Sequence, residues 1–501
     1  MKDTISTPIC DFLLDYADSG ISRFHMPGHK GAAPEDAVLQ YSHDITEIPG
    51  ADSLYEAAGI IRASEENASS LFGTALTLYS TEGSSQCIRA MLALAAGFFS
   101  RASNSVAAAL RAGSPGVQED PCFIGEGRPV ILAARNVHRS FLTAAALLDL
   151  DVKWLYPETD SWSLCACPVS AASVRDAILS LPVPPAAVYL TSPDYLGNLQ
   201  KIREIAAAAH EFGVPLLVDN AHGAYLHFLE NPVHPMDLGA DLCCDSAHKT
   251  LPALTGCAYL HISASAPSAF LSHARRAMAL FGSTSPSYLL LESLDRTNAL
   301  LSGPWRASLA ACEARVHGVK QRLQCHGFVL AEDCFPLTPE PLKITLCASR
   351  SGYDGRALAQ ILRFRGIECE YADPDDLVLM VSPGNSAGEL DHLTAVLESL
   401  PVPALQSSGA SSSPQEKLHS PEPVRRPRCP HPEPILSIRS ALLAPSVEIP
   451  AEESAGCICA DPALVCPPAV PIIICGERIP REAISIFRHY GISRIRVLES
   501  E

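Results

Sequence analysis

The chain has 501 residues, 47% of them apolar and 18% charged, a globular composition that excludes wholesale disorder. Its 37 Lys+Arg against 55 Asp+Glu leave a net charge of −18, which argues against a nucleic-acid partner, since such proteins carry a basic face. At roughly 100–200 residues per domain, the length predicts two to four domains.

The first residues, MKDTISTPICDFLLDYADSG, place acids where an export signal needs a basic flank and an unbroken apolar stretch. No window holds 18 uninterrupted apolar residues, so a cytoplasmic chain without membrane association is expected. Eighteen cysteines are present, but none in CxxC spacing, so no metal site is expected. Reduced thiols packed as small hydrophobes are the simplest reading of them, with metal binding or redox sensing as the alternative.

From about residue 70 to 275, short apolar runs alternate with helical patterns. Strands are predicted at Val130–Ala134, Ala187–Thr191, Pro215–Asp219, Asp241–Asp245 and Cys257–Ile262. Helices are predicted at Ser84–Phe98, Ser140–Leu148 and Ile202–Phe212. Nearly continuous apolar strands are buried on both faces, and strand–helix alternation means an α/β domain with a mostly parallel central sheet. Residues 99–128 interrupt this pattern as a surface excursion. A long helix at Ser287–Ser302 leaves the domain.

A smaller α/β unit follows, with strands at Leu342–Cys347, Ile367–Tyr371 and Leu377–Val381 and helices at Gly355–Arg365 and Ala387–Leu400. Residues 401–434 then hold nine prolines and six serines, which reads as a flexible linker. The predicted division is therefore an N-terminal segment (1–70), a major domain (71–300), a small α/β domain (301–400), the linker (401–434) and a C-terminal α/β domain (435–501).

Three stretches carry chemistry. TEGSSQ at 81–86 precedes a helix, and Gly83, Ser84 and Ser85 there offer backbone N–H groups, hydroxyls and the positive end of a helix dipole to a phosphate. The same turn also reads as an ordinary N-cap. In VDNAHGAY at 218–225, Asp219 ends a buried strand, where open α/β sheets bind ligands; a capping role is equally open to it. In DSAHKTLPAL at 245–254, Lys249 follows another strand end beside Ser246 and His248, although a lysine there is commonly just solvated. Taken together, a phosphate seat, an acid and a lysine 30 residues after it match the needs of pyridoxal phosphate: an amine for its aldehyde and a carboxylate for its ring nitrogen.

FHMPGHKG at 24–31, TEGSSQ at 81–86, ARNVHRS at 134–140, DNAHGAY at 219–225, SAHKTLP at 246–252, FGSTSPSY at 281–288 and CPPAVPIIICGERI at 466–479 resemble the Orn/Lys/Arg decarboxylase family. The resemblance implies the fold of the aspartate aminotransferases and a pyridoxal-phosphate enzyme that converts a basic amino acid (arginine or lysine before ornithine) to its amine and CO2. It implies Lys249 as the Schiff-base lysine, Asp219 on the pyridine nitrogen and His138 stacked on the ring. Ser84, Ser85, Ser246 and His248 would hold the phosphate, Ala221 and His222 would line the ring's edge, and Lys249 or His248 would return a proton. It implies a dimer or dimer of dimers with shared sites, with Ser283, Thr284 and Ser285 near the partner's phosphate. His25 and His29 are placed at the site's edge or in a structural role.

Two features depart from the family pattern. Cys466-Pro467-Pro468-Ala469 stands where a Tyr-Pro-Pro-Gly run is usual, and Asn220 follows Asp219 where some relatives carry an acid. The chain also resembles the short form of the family, without an amino-terminal wing domain. Glu477 is the candidate carboxylate for the substrate's distal cation, with a turn or cap role as the alternative. A different pyridoxal-phosphate reaction stays open, with Arg350 or Arg363 binding the α-carboxylate of a transamination substrate. A non-catalytic, cofactor-binding member is the other alternative.

Overall fold

The computed structural model describes residues 5–34, 39–97, 128–157, 163–334, 338–402, 429–461, 465–466 and 470–499. Nearly all of the 99–128 excursion, most of the 401–434 linker, and Pro467, Pro468 and Ala469 lie outside the described residues. The chain divides into two units. One comprises Met1–Tyr156, Val169–Ser192 and Lys201–Arg306, the other Pro157–Pro168, Pro193–Gln200 and Ala307–Glu501.

The first unit is built on a seven-stranded sheet: β1 (Leu76–Ser80), β2 (Val130–Ala134), β3 (Asp151–Leu155), β4 (Ala187–Thr191), β5 (Leu216–Asp219), β6 (Leu242–Asp245) and β7 (Ala258–Ile262). The spatial order is β1-β7-β6-β5-β4-β2-β3. β7 runs antiparallel to both of its neighbours, and every other pairing is parallel. The carboxyl ends of β1, β2, β4, β5 and β6 therefore share one edge, where ligands of open α/β sheets bind. The five strands expected from apolar runs form within one residue of their predicted bounds. Two more, β1 and β3, join them. β3 is an edge strand whose half-exposed Asp151 and exposed Lys153 break the apolar run that marks a central strand.

Helices α1 (Pro8–Asp18), α2 (Ile60–Phe72), α3 (Gly83–Ala95), α4 (Arg139–Leu147), α5 (Ala171–Leu179), α6 (Ile202–His210), α7 (Ser268–Ala279) and α8 (Tyr288–Ser302) cover the sheet. Asp295 of α8 shows how α1 is fastened: one carboxylate oxygen accepts the first-turn N–H groups of Ile9 and Cys10, each at 3.0 Å, which α1's own Thr7 side chain leaves uncapped. α3 packs against α4 and α7, which fixes the helix that opens with TEGSSQ.

In the second unit, β8 (Lys343–Leu346), β9 (Tyr371–Ala372) and β10 (Leu377–Met380) form a sheet with β10 central, and both pairings are antiparallel. Of the strand predicted at Ile367–Tyr371, only Tyr371 is in a strand, as the first residue of β9. Glu368 instead reaches back to Arg363 at the surface, and Glu370 accepts the Tyr195 hydroxyl. A second antiparallel pair joins β11 (Ser446–Pro450) and β12 (Arg494–Leu498). Val329, Cys347, Val378, Ile472, Ile473, Phe487 and Val497 belong to one buried cluster, so residues on both sides of the predicted linker share a core.

Candidate active site

Gly83 enters α3 with φ of 70° and donates its N–H to Gly256 O at 2.8 Å. That left-handed turn, natural for glycine, reverses the chain from β1 and puts Ser84 and Ser85 in the first helical turn. Their hydroxyls meet those of two other strand-end loops. Ser246 Oγ donates to Ser84 Oγ at 2.8 Å, and Ser140 Oγ donates to Ser85 Oγ at 2.8 Å. Hydroxyls paired with hydroxyls are satisfied yet can rotate toward an incoming oxygen.

Asp219 ends β5 and is 2% exposed. Its carboxylate accepts the Ala221 N–H at 3.2 Å and the Tyr189 hydroxyl at 3.4 Å, with the Cys244 thiol 3.7 Å away. Lys249 sits on the one-turn helix Ala247–Thr250 after β6. Its Nζ is 3.0 Å from His222 Nε2, so the imidazole lone pair faces the amine.

His138 caps α4: its Nδ1 accepts the Ser140 N–H at 3.2 Å, which puts the ring proton on Nε2. Burial lowers the His138 pKa and the neighbouring Lys249 charge adds to this, against the opposite pull of Asp219. The ring is thus held neutral, as suits a flat packing surface. His248 Nδ1 lies 3.0 Å from the carbonyl of Cys257, so the neutral ring places its proton there. Its Nε2 then accepts rather than donates, and His248 contributes a donor to an anion only when protonated.

Lys249, His138, Asp219, Ala221, His222, Ser84, Ser85, Ser246 and His248 all lie in the first unit, at strand ends and in the turns and helix starts that follow them along one edge of its sheet. Three partners were not singled out from the sequence. Ser140 was visible inside ARNVHRS, but its bond to Ser85 depends on the packing of α3 on α4. Tyr189 and Cys244 reach Asp219 from inside neighbouring strands, where they read only as core.

Other candidates have partners of their own. His25 Nε2 meets the Tyr16 hydroxyl at 2.8 Å, and His29 Nε2 meets Asp44 at 3.0 Å. Ser283, Thr284 and Ser285 are exposed, with the Ser283 N–H donating to the Glu82 carboxylate. In the second unit, Glu477 is 3% exposed and accepts the Ile474 N–H at 2.7 Å, a turn-holding role. Arg350 contacts the Cys334 sulfur at 3.0 Å, and Arg363 forms an exposed pair with Glu368.

The donor set fits a phosphorylated pyridine aldehyde. An amine, a buried carboxylate, a flat neutral imidazole and a row of neutral hydroxyls at a helix N-terminus are the groups such a molecule requires. Thr250, next to Lys249, adds a hydroxyl that is sealed from solvent without a partner.

Residues 123–333 match the family described as Orn/Lys/Arg decarboxylase, major domain. The chain is 29% identical over 497 residues to the uncharacterized protein YaaO of Bacillus subtilis (strain 168), covering 96% of this chain and 93% of that one. It is 28% identical over 501 residues to the arginine decarboxylase of the same organism, with coverage of 96% and 93%. Among solved structures, lysine decarboxylase A from Pseudomonas aeruginosa aligns with a TM-score of 0.76 at 16% identity, covering 98% of this chain and 80% of that one. The Francisella novicida lysine decarboxylase LdcF aligns with a TM-score of 0.74 at 17% identity, covering 99% and 81%; these two establish the fold alone. The family match over residues 123–333 and the nearly full-length relatives support the Orn/Lys/Arg decarboxylase family of pyridoxal-phosphate enzymes.

Proposed function

We propose that this chain decarboxylates a basic amino acid, with arginine the first choice and lysine the second, yielding agmatine or cadaverine and CO2. The observation that carries the proposal is Lys249 Nζ, 3.0 Å from His222 Nε2, on the same sheet edge as the buried Asp219. The preference for arginine rests on the nearly full-length relatives that bear that name.

When bound, pyridoxal phosphate supplies an aldehyde for the substrate amine and a ring that accepts the electrons left behind by CO2. The chain supplies placement and proton control. Ser84, Ser85 and Ser246 hold the phosphate with hydroxyls at the start of α3. Asp219 would face the ring nitrogen and supply the carboxylate that keeps it protonated. His138 would cover one face of the ring, and Ala221 and His222 would line its edge. Lys249 is the covalent anchor. Its Nζ would hold the proton to be returned to Cα, with the His222 Nε2 lone pair 3.0 Å away. A homodimer in the cytoplasm, forming amines of the polyamine route, goes with this reading.

The test is an absorption spectrum of the purified protein with cofactor, followed by arginine, lysine and ornithine in turn with CO2 detection. A visible-edge band that is absent in Lys249→Ala, with CO2 and amine from arginine, is the expected result. A band with keto-acid instead of amine makes the reaction a transamination. A band without turnover of any of the three leaves a cofactor-binding protein of another kind, and no band refutes the proposal.

A further inference from the structure

A fully buried ionisable cluster of the first unit has no part in the scheme above. Asp245 closes β6, and its side chain and those of His234 and His261 are 0% exposed. The Asp245 carboxylate accepts from His234 Nε2 at 2.9 Å, His261 Nε2 at 3.1 Å and Asn220 Nδ2 at 2.6 Å, with the Cys243 thiol 3.7 Å away. A fully buried carboxylate is costly unless every lone pair is used, and here three N–H donors use them.

Two imidazoles and a carboxylate this close also suggest a metal site. The hydrogen bonds argue otherwise. His234 Nδ1 accepts the Met236 N–H at 3.2 Å, so its proton lies on Nε2 and points at Asp245. His261 Nδ1 is 2.9 Å from Thr77 Oγ1, which is 2.7 Å from Thr74 Oγ1; a hydroxyl relay donating into Nδ1 again leaves the proton on Nε2. A ligating nitrogen would have to surrender that proton. Burial depresses His261, so it stays neutral, while the two imidazoles outweigh burial at Asp245 and hold its carboxyl well below the usual range. The cluster is a carboxylate held by three N–H donors.

Its third donor connects it to the site. Asn220 follows Asp219, and Asp245 lies four residues before Lys249. Asn220 is fully buried, and its Oδ1 has no partner. The amide therefore keeps its orientation through Nδ2 alone; flipped, it would aim an oxygen at a carboxylate. The backbone seconds this tie, since Asn220 N–H donates to Cys244 O at 3.0 Å.

We propose that Asp245, gripped by His234 and His261, is a positioning residue: through Asn220 it ties the end of β5 to the end of β6 and so sets Asp219 and Lys249 in register with each other. This rests on the reading of those two residues as the cofactor's anchors.

Asn220→Ala and Asp245→Asn in the holoenzyme test it, read by cofactor dissociation constant, visible circular dichroism of the bound cofactor, and urea unfolding. Asp245→Asn is expected to weaken cofactor binding about tenfold to a hundredfold, the size of a lost charged hydrogen bond, and to reduce the dichroic band. Asn220→Ala cuts only the link to β5. It is expected to move the same two cofactor signals in the same direction while the urea midpoint stays near wild type. His261→Gln, which retains a side-chain N–H donor, is expected to lose stability but keep most of the dichroic band. Wild-type cofactor affinity and dichroism in Asn220→Ala overturn the proposal alone, even if Asp245→Asn does not fold. Absence of any band in the wild type overturns the cofactor reading and the proposal with it.

Discussion

The strand-end edge of the first unit and the region around Asp194 and Lys343 in the second satisfy their buried polar side chains in different ways. At the strand-end edge of the first unit, side chains meet side chains: Ser84 with Ser246, Ser85 with Ser140, Lys249 with His222, and Asp245 with three donors. In the second unit, Asp194 accepts the N–H groups of Leu196 and Asn198, Glu340 accepts that of Leu342, and Lys343 donates to the carbonyls of Asp194 and Tyr195. A side chain bonded to backbone holds a turn shut. A hydroxyl or amine bonded to another side chain can exchange that partner for a ligand atom without stripping a peptide group. The first arrangement is suited to receive something, and the second to stay as it is.

The strongest way to break this comparison is to remove one charge from each unit. Asp219→Asn preserves shape but gives up the charge opposite the ring nitrogen, and turnover is expected to fall at least about a hundredfold with cofactor still bound. Lys343→Met is expected to leave the cofactor band intact while destabilising the second unit by about 1–3 kcal/mol, because two carbonyls lose their donor. Spectra and urea curves of both variants check this. Retained turnover in Asp219→Asn would refute its assigned role.

Much of this edge was legible in the sequence, because its residues cluster in short motifs behind apolar strands. Val130–Ala134 and Ala187–Thr191 form as read, since central strands buried on both faces are continuous in composition. β1 was not read. Its sequence LTLYS carries Thr77 and Ser80 inward, where they bond to His261 and Gln86, and such partners lie far away in sequence. The reversed direction of β7 leaves no compositional trace either, because burial is the same whichever way a strand runs. The Asp245 cluster was missed for a related reason: His234 and His261 occupy unrelated segments, and only the fold brings them to one carboxylate. His222 was placed on the ring's edge by motif, while its contact with Lys249 depends on the distance between two loops.

Acid–base behaviour sharpens the comparison less strongly, because burial acts alike in both units. In the first, burial pushes the Glu65 carboxyl up to about 7 against the pull of Arg275. In the second, burial pushes Asp194 up to about 6 against its hydrogen bonds from Asn198. A raised folded-state pKa means that the folded chain keeps a proton that the unfolded chain releases. Glu65's contribution is therefore fully present below its ordinary value near 4.5 and is lost as pH rises to about 7. The loss is on the order of 3 kcal/mol. Glu65→Gln is expected to flatten the unfolding free energy across that window, and Asp194→Asn to do so between about 4 and 6. An unchanged slope in Glu65→Gln would show that Arg275 keeps the carboxylate charged.

The smallest effect is expected where the second unit does pair full charges. Arg363 and Glu368 lie in hydrogen-bond contact, yet each side chain is 67% exposed. Water and salt screen such a pair, and ordering two long side chains offsets most of the attraction that remains. The Glu368 carboxylate raises the Arg363 pKa, and the guanidinium lowers that of Glu368, through this bond, but at such exposure the shift has little bearing on folding. Arg363→Ala is expected to leave the urea midpoint within error of wild type at both low and high salt, with cofactor binding unchanged. A loss comparable to that of Lys343→Met would mean that surface pairing, rather than bonds from buried side chains to backbone, holds the second unit together. A selective loss of turnover would instead return Arg363 to consideration as the arginine for a substrate carboxylate.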